Sequence, residues 1–275
     1  MTGIFQDDLE QLQTFIATYP RLAILTGAGI SLAAGIPTYR DKEGVWRHRE
    51  PVKYQEFLKE PARRQRYWAR SMRGWPAIRD AIPTDAHKAL ANLERRGHID
   101  TLITQNVDRL HQAAGSEQVI DLHGRLDRVR CLSCERNQKR EDVQRQLIED
   151  NGEVQNTDEP RPDGDAELDP EIERRFVSPT CKHCDGILMP DLVFFGDTVP
   201  RERVQTAMKA VERADALITI GSSLKVFSGF RFCRRAHELG KPQVIMNPGL
   251  TRGDELSQLK LNSDCQALLK TIDNI

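Results

Sequence analysis

A Rossmann-like α/β fold, a doubly wound parallel sheet interrupted by a smaller inserted module, is the fold class this sequence predicts. Three observations lead to it. Short apolar runs at 22–25, 99–104, 119–122, 216–220 and 244–246 do not alternate with polar residues, so each reads as a strand covered on both faces. Helical periodicities separate these runs, giving the strand–helix alternation of a parallel sheet. Between residues 125 and 190 the alternation stops, and two Cys-x-x-Cys pairs flank a polar, acidic stretch.

Taken in order, residues 5–19 form an amphipathic helix with Phe5, Leu9, Leu12, Phe15 and Ile16 on one face. The strand at Leu22–Leu25 runs into Thr26, Gly27, Ala28, Gly29, Ile30 and Ser31, the sequence of a strand followed by a glycine turn and a helix start. Residues 41–84, rich in Arg, Trp and Pro, read as short helices in an insertion. A helix over 85–96 is capped by Thr84 or Asp85 and closed by Gly97. The strand Ile99–Thr104 leads into Gln105, Asn106, Val107 and Asp108, and Val119–Leu122 leads into His123 and Gly124. Residues 150–175 have few apolar anchors and read as a long surface loop with at most one helix. The strand Ala216–Ile220 then ends in Gly221, Ser222 and Ser223, and a helix over Phe230–Leu239 is closed by Gly240. The strand Val244–Met246 ends in Asn247, Pro248 and Gly249, and Leu268–Ile272 lies in a last helix.

Composition narrows the function classes. With 39% hydrophobic and 29% charged residues the chain reads as a soluble globular protein, and its net charge of −1 gives no support to a nucleic-acid or anionic-membrane partner. No apolar run approaches the roughly 20 residues that span a bilayer. The first ten residues carry Asp7, Asp8 and Glu10 and no base, unlike a signal or transit peptide, so a cytoplasmic location is expected. A monomer is the oligomeric state favoured.

Four features carry chemistry. Gly27 and Gly29 let backbone approach a pyrophosphate, although the third glycine of the dinucleotide fingerprint falls on Leu32, and a tight turn without ligand is the alternative. Cys131, Cys134, Cys181 and Cys184 supply four thiolates for one structural zinc, the alternative being two independent redox or buried pairs. Cys233 and Cys265 stand alone and read as core thiols. Gln105, Asn106, Asp108, His123, Ser222, Ser223 and Asn247 all follow strands, where open α/β sheets bind ligands. Pro37, Tyr39 and Arg40 follow the glycine turn, and Arg40 is suited to a phosphate or to solvent.

Together these strings resemble the sirtuin family: Gly27–Ser31, Gly35–Arg40, Thr104–Asp108, Leu122–Gly124, the four cysteines, Gly221–Leu224 and Asn247–Gly249 occur in family order. The strings 66–70, 162–165 and 193–198 look like its class II branch, which includes the fourth human sirtuin. The resemblance implies an NAD-dependent protein lysine deacetylase or deacylase that moves the acyl group from lysine to ADP-ribose, releasing nicotinamide. It implies NAD contacts at Gly27, Ala28, Gly29, Ser31, Pro37, Tyr39, Arg40, Gln105, Asn106, Asp108, Gly221, Ser222, Ser223, Asn247, Pro248, Gly249 and Cys265. It implies catalytic roles for Asn106, Asp108 and His123, with His123 as general base on a ribose hydroxyl. Acyl-lysine proteins are the implied partners, adding as a strand between Phe194–Gly196 and Ser223–Val226, with Val193 and Phe195 alongside. Tyr67 and Arg70, one helical turn apart, resemble a pair that binds acidic acyl groups; alternatively Tyr67 packs the insertion and Arg70 faces solvent. An ADP-ribosyltransferase and a non-catalytic NAD-sensing or zinc-ribbon module are the competing functions. The implied domains are an NAD-binding unit over 1–40, 85–124 and 192–275, and a small domain made of a helical insertion over 41–84 and a zinc-binding module over 125–191.

Overall fold

The computed structural model describes residues 2–39, 41, 45, 51–152, 163–166 and 168–273. Nine strands are present among them: β1 Leu22–Thr26, β2 Ile99–Thr104, β3 Val119–Asp121, β4 Gly124–Cys131, β5 Asn137–Lys139, β6 Leu188–Leu192, β7 Ala216–Ile220, β8 Gln243–Met246 and β9 Leu259–Leu261. Six form a parallel sheet in the order β3-β2-β1-β7-β8-β9. The other three form an antiparallel sheet, β5-β4-β6.

The apolar strands do not alternate because both faces of the parallel sheet are covered. Leu22 and Ile24 of β1 pack with helices Thr2–Thr18, Asp85–Arg95 and Cys265–Asp273. Ala23 and Leu25 point the other way, onto helices Arg201–Arg213 and Phe227–Glu238. Each Leu or Ile buried in this way contributes about 1.5–3 kcal/mol. The central position of β1 and β7 brings their carboxyl ends to the point where the sheet order reverses, the place at which such sheets form a crevice.

The antiparallel sheet has its own core. Phe57, Trp68, Met72, Val129, Val143, Leu147, Phe176 and Leu188 pack together beneath helices Tyr54–Lys59, Pro61–Arg79, Arg140–Asn151 and Pro170–Arg175. Instead of the several short helices expected over 41–84, one helix of 19 residues dominates: Pro61 opens it, and Pro76, which has no N–H for the Met72 carbonyl, leaves that carbonyl to the Gln144 side-chain amide at 2.7 Å. A Cβ at Gly74 would meet the carbonyl oxygens of Gly164 and Asp165 at 2.5 and 2.6 Å, so this glycine lets the 163–166 segment lie directly on the helix. At the layer's centre Arg140 is fully buried between two indoles, its guanidinium 5.5 Å from the Trp68 ring and 4.7 Å from that of Trp75. It donates to the Ser71 carbonyl and hydroxyl and has no carboxylate partner among the described residues, and burial pushes its pKa down to about 10.

Candidate active site and metal centre

The polar residues that follow the strands do meet. Gly27 ends β1, Gln105, Asn106 and Asp108 follow β2, His123 follows β3, Gly221 and Ser222 follow β7, and Asn247 follows β8. The glycine turn opens a 3-10 helix, Ala28–Ala34, in place of an α-helix. Its first duty is to join two strand ends. The Gly27 and Gly29 N–H groups donate to the carbonyls of Ile220 (3.0 Å) and Gly221 (2.8 Å). A Cβ at Gly27 would lie 2.7 Å from that of Ser222, and one at Gly29 2.8 Å from the Gly221 Cα. Two backbone turns in contact therefore require these glycines, and an NAD pyrophosphate is not needed to explain them.

Around this junction the side chains form a connected set. Ser31 Oγ donates to Asp108 Oδ2 at 2.7 Å, and the Asn106 amide donates to Ser31 Oγ and the Gly27 carbonyl, both at 3.1 Å. Asp108 also accepts the Leu110 N–H; burial nonetheless raises its carboxyl above the usual range. Gln105 donates to Ser222 Oγ at 2.9 Å. The tautomer of His123 follows from its partners. Its Nδ1 faces the Gln105 carbonyl at 2.9 Å and so carries the proton, which leaves Nε2 as the basic atom, 2.7 Å from the Ser228 hydroxyl. Burial, reinforced by the Arg203 and Arg231 charges and opposed by the Gln105 bond, lowers the imidazole to about 4. His123 is therefore neutral at physiological pH, with Nε2 open to a proton. Ser228 was not anticipated from the sequence: it lies at the start of a helix 105 positions from His123, and no spacing signals it.

A second tier of polar groups supports the first. The Asn106 N–H donates to Thr104 Oγ1, which also accepts from Thr26 Oγ1 at 2.9 Å; Thr26 in turn contacts His111 Nε2 at 2.9 Å. Because the Thr26 hydroxyl proton is committed to Thr104, His111 must donate from Nε2, leaving a lone pair on Nδ1. His87 accepts the Thr84 N–H at Nδ1 and so carries its proton on Nε2. Those remaining atoms, a donor on His87 and an acceptor on His111, are buried without partners on rings 4.7 Å apart. Burial holds His87 down to about 4 and His111 well below its ordinary value.

The other expected contacts scatter along the rim. Tyr39 meets the Phe195 ring edge-on at 5.7 Å, close to Pro37, whereas Arg40 lies outside the described residues. The Val193 N–H donates to the His123 carbonyl, Phe194 is buried, and Gly196 turns with φ 78°. The Ser223 carbonyl accepts the Arg252 N–H, and the Asn247 side chain spans Pro248 to reach the Gly249 carbonyl. Cys265 belongs to the apolar core, its thiol pushed up to about 12 by burial; the core-thiol reading fits this side chain better than an NAD contact does.

Tyr67 packs the insertion, as one of the two readings has it, and Arg70 does not face solvent. Tyr67 is buried against Phe57, Trp68 and Phe194. Arg70 is only 5% exposed. Its Nε donates to the Ala166 carbonyl at 2.8 Å and lies 2.9 Å from Asp165 Oδ1, with Glu173 at 3.9 Å. The acidic segment carried over Gly74 thus sets a carboxylate beside Arg70.

The four paired cysteines converge. Their sulfurs lie within 4.8 Å of one another, with Cys131–Cys184 at 3.6 Å and Cys134–Cys181 at 3.7 Å. Zinc–sulfur bonds of about 2.3 Å in a tetrahedron require sulfurs roughly 3.8 Å apart, so the set fits zinc. The two pairs repeat one geometry. Cys131 donates its N–H to Arg136 and Cys181 to Gly186, and each second cysteine is followed by a left-handed residue, Glu135 (φ 58°) or Asp185 (φ 54°). A Cβ at Gly186 would come within 2.9 Å of the Cys131 sulfur. The Cys134 amide, opposed by burial and aided by the Ser133 amide, draws the Cys131 thiol down to about 6.

Comparison with known proteins places this geometry. The Sir2 family model matches residues 27–228. An NAD-dependent protein deacetylase of Xanthomonas axonopodis pv. citri is 50% identical over 98% of this chain and 92% of its own length. One of Bordetella bronchiseptica is 48% identical over 96% and 97%. Among solved structures, a Sir2 protein with a p53 peptide and NAD+ superposes with a TM-score of 0.79 at 30% identity, covering 97% of each chain. A Sir2 protein bound to an acetylated peptide gives 0.78 at 29% identity over the same shares. This chain belongs to the Sir2, or sirtuin, family.

Proposed function

We propose that this protein is an NAD-dependent protein lysine deacetylase, acting on acyl-lysine side chains of other proteins. The observation that carries the reading is the meeting of His123, Asn106, Asp108 and Ser31 at one crevice, with a neutral imidazole whose basic nitrogen faces a hydroxyl. NAD, when bound, supplies a glycosidic bond whose cleavage releases nicotinamide and leaves ADP-ribose to take the acyl group. The Asn106 amide and the buried Asp108 carboxyl, both fixed by Ser31, would hold the nicotinamide end. His123 Nε2, 2.7 Å from Ser228 Oγ, would be the atom that accepts a proton from a hydroxyl of the bound NAD. Cys131, Cys134, Cys181 and Cys184 hold one structural zinc, since four protein sulfurs leave no position for water.

The strings at 66–70, 162–165 and 193–198 support the class II branch. The pairing of Arg70 with Asp165 favours a neutral acyl group over an acidic one. Tyr67 and Val193–Gly196 line the acyl-lysine side, and the chain divides into an NAD-binding unit over 1–40, 85–124 and 192–275 and a small domain over 41–84 and 125–191. A reducing, cytoplasmic setting suits a chain whose six cysteines form no disulfide. No helix among the described residues is long and apolar enough to cross a membrane.

The test is nicotinamide release from NAD in the presence of acetyl-lysine peptides, with labelled NAD to follow the product. O-acetyl-ADP-ribose is the expected product. His123→Ala should keep NAD binding by calorimetry and lose roughly 10²–10⁴-fold in turnover. Label transferred to protein would favour an ADP-ribosyltransferase instead, and near-normal turnover by His123→Ala would remove the base from the mechanism.

A further inference from the structure

The helix Phe227–Glu238 begins beside the base: Ser228 Oγ touches His123 Nε2, and Gly229 packs on the Gln105 side chain. Just before it the chain turns outward. Leu224 is held at φ 56° with its side chain buried and its N–H on Ser222 Oγ, a backbone conformation that leaves Lys225, Val226 and Phe227 exposed. The result is an apolar lip at the mouth of the crevice, Val226 being 45% and Phe227 44% exposed.

The lip is ringed by positive charge. Around the Phe227 ring stand Arg231 at 5.3 Å, Arg252 at 5.8 Å and Arg234 at 6.0 Å, and Arg252 also lies 4.4 Å from the Phe230 ring. Lys225, Arg231 and Arg252 make no ion pair with the described residues, and Arg234 makes one, with Glu238 at 3.6 Å. Asp254, in the same turn as Arg252, is committed to Lys260 and Thr251. The Arg231 Nε is buried without a hydrogen-bond partner. A chain whose charges almost cancel thus gathers four cations at the entrance to one site.

We infer that this lip is a docking surface for acidic segments of the protein substrate: Asp or Glu residues close to the acyl-lysine pair with Arg231, Arg234 and Arg252, and an apolar neighbour seats on Phe227. The inference rests on the deacetylase reading, because a polypeptide delivering an acyl-lysine to His123 must pass over Val226 and Phe227. Charge complementarity selects this occupant, and exposed cations such as Arg234 and Arg252 act on substrate capture rather than on the chemical step.

The experiment compares acetyl-lysine peptides that differ only in Asp/Glu or Asn/Gln flanks, at saturating NAD. The acidic peptide should have a KM lower by about three- to tenfold at about 50 mM salt, the difference closing near about 500 mM. The double variant Arg234→Gln/Arg252→Gln should lose most of that preference while keeping the kcat and KM of the neutral peptide and the KM of NAD. Equal KM values in the parent protein would overturn the inference. So would a variant whose losses fall on NAD or on both peptides alike, or a single-stranded oligonucleotide that competes while acidic flanks give no preference. If neither peptide is turned over, the deacetylase reading fails by itself. Fluorescence anisotropy of the same labelled peptides then decides the lip, and an acidic peptide that binds no tighter than the neutral one overturns it.

Discussion

In the parallel sheet β1 carries apolar side chains to both faces, and none of its five residues reaches solvent. In the antiparallel sheet β4 turns Leu126 and Val129 inward, sets Arg128 against Asp191, and gives its last residue, Cys131, to a thiolate cluster. The first layer is held by apolar area on two faces. The second has a smaller core, and its buried polar groups are joined in pairs and clusters: four sulfurs, Arg70 with Asp165, Arg140 with two indoles. Different agents should therefore attack the two layers, a metal chelator the second and acid the first.

Removing the metal should have the largest effect. Structural zinc binding in small peptides is worth about 10–16 kcal/mol, and four thiolates brought together without an ion repel one another. Cys131→Ser should lose stoichiometric zinc by atomic absorption and melt the antiparallel layer, with activity falling as a consequence. A folded, active variant without zinc would remove the metal from the account of this layer.

Breaking the buried ion pair comes next. Arg70→Met leaves Asp165, which is only 17% exposed at its side chain, without its guanidinium, and should cost about 3 kcal/mol in chemical denaturation. Turnover of acetyl- and glutaryl-lysine peptides should fall by the same factor. A selective loss on the glutaryl peptide would show that Arg70 reads the acyl group after all.

Acid gives the smallest effect and tests the parallel layer. His87 titrates at about 4 when folded and at about 6.5 when unfolded, so the unfolded chain binds more protons in that window. The stability it contributes is complete above pH 6.5 and is lost as pH falls toward 4. At pH 5 the loss is on the order of 2 kcal/mol. Urea unfolding at pH 7 and pH 5, with zinc release monitored, should show a smaller pH dependence in His87→Asn than in the parent. An identical dependence would assign the acid sensitivity elsewhere.

The sequence showed the parallel layer more clearly than the antiparallel one. Leu22–Leu25 needs no partner to be recognised as a doubly covered strand, and Cys-x-x-Cys states its chemistry locally. β4 was hidden because a register shift against β6 between Gly124 and Val129 breaks the alternation that would have marked it. At the site, Asn106, Asp108 and His123 were legible because each ends a strand. The Ser228 contact of His123, the Asp165 partner of Arg70 and the Thr26–His111 link each join distant segments, and only folding reveals them. The charge of Arg70 suggested a place for an acidic group, and in the fold Asp165 stands 2.9 Å from it.

The seat of Arg140 has a practical consequence. The chain has three tryptophans, all between residues 46 and 75 and none in the parallel sheet. Trp68 and Trp75, the two among the described residues, are the pair that enclose the guanidinium. Indole emission responds to the polarity around the ring, so the emission of Trp68 and Trp75 is an optical label built into the zinc-bearing layer. Read beside far-ultraviolet dichroism, which senses all the helices and both sheets, it lets one sample report which half of the molecule has come apart.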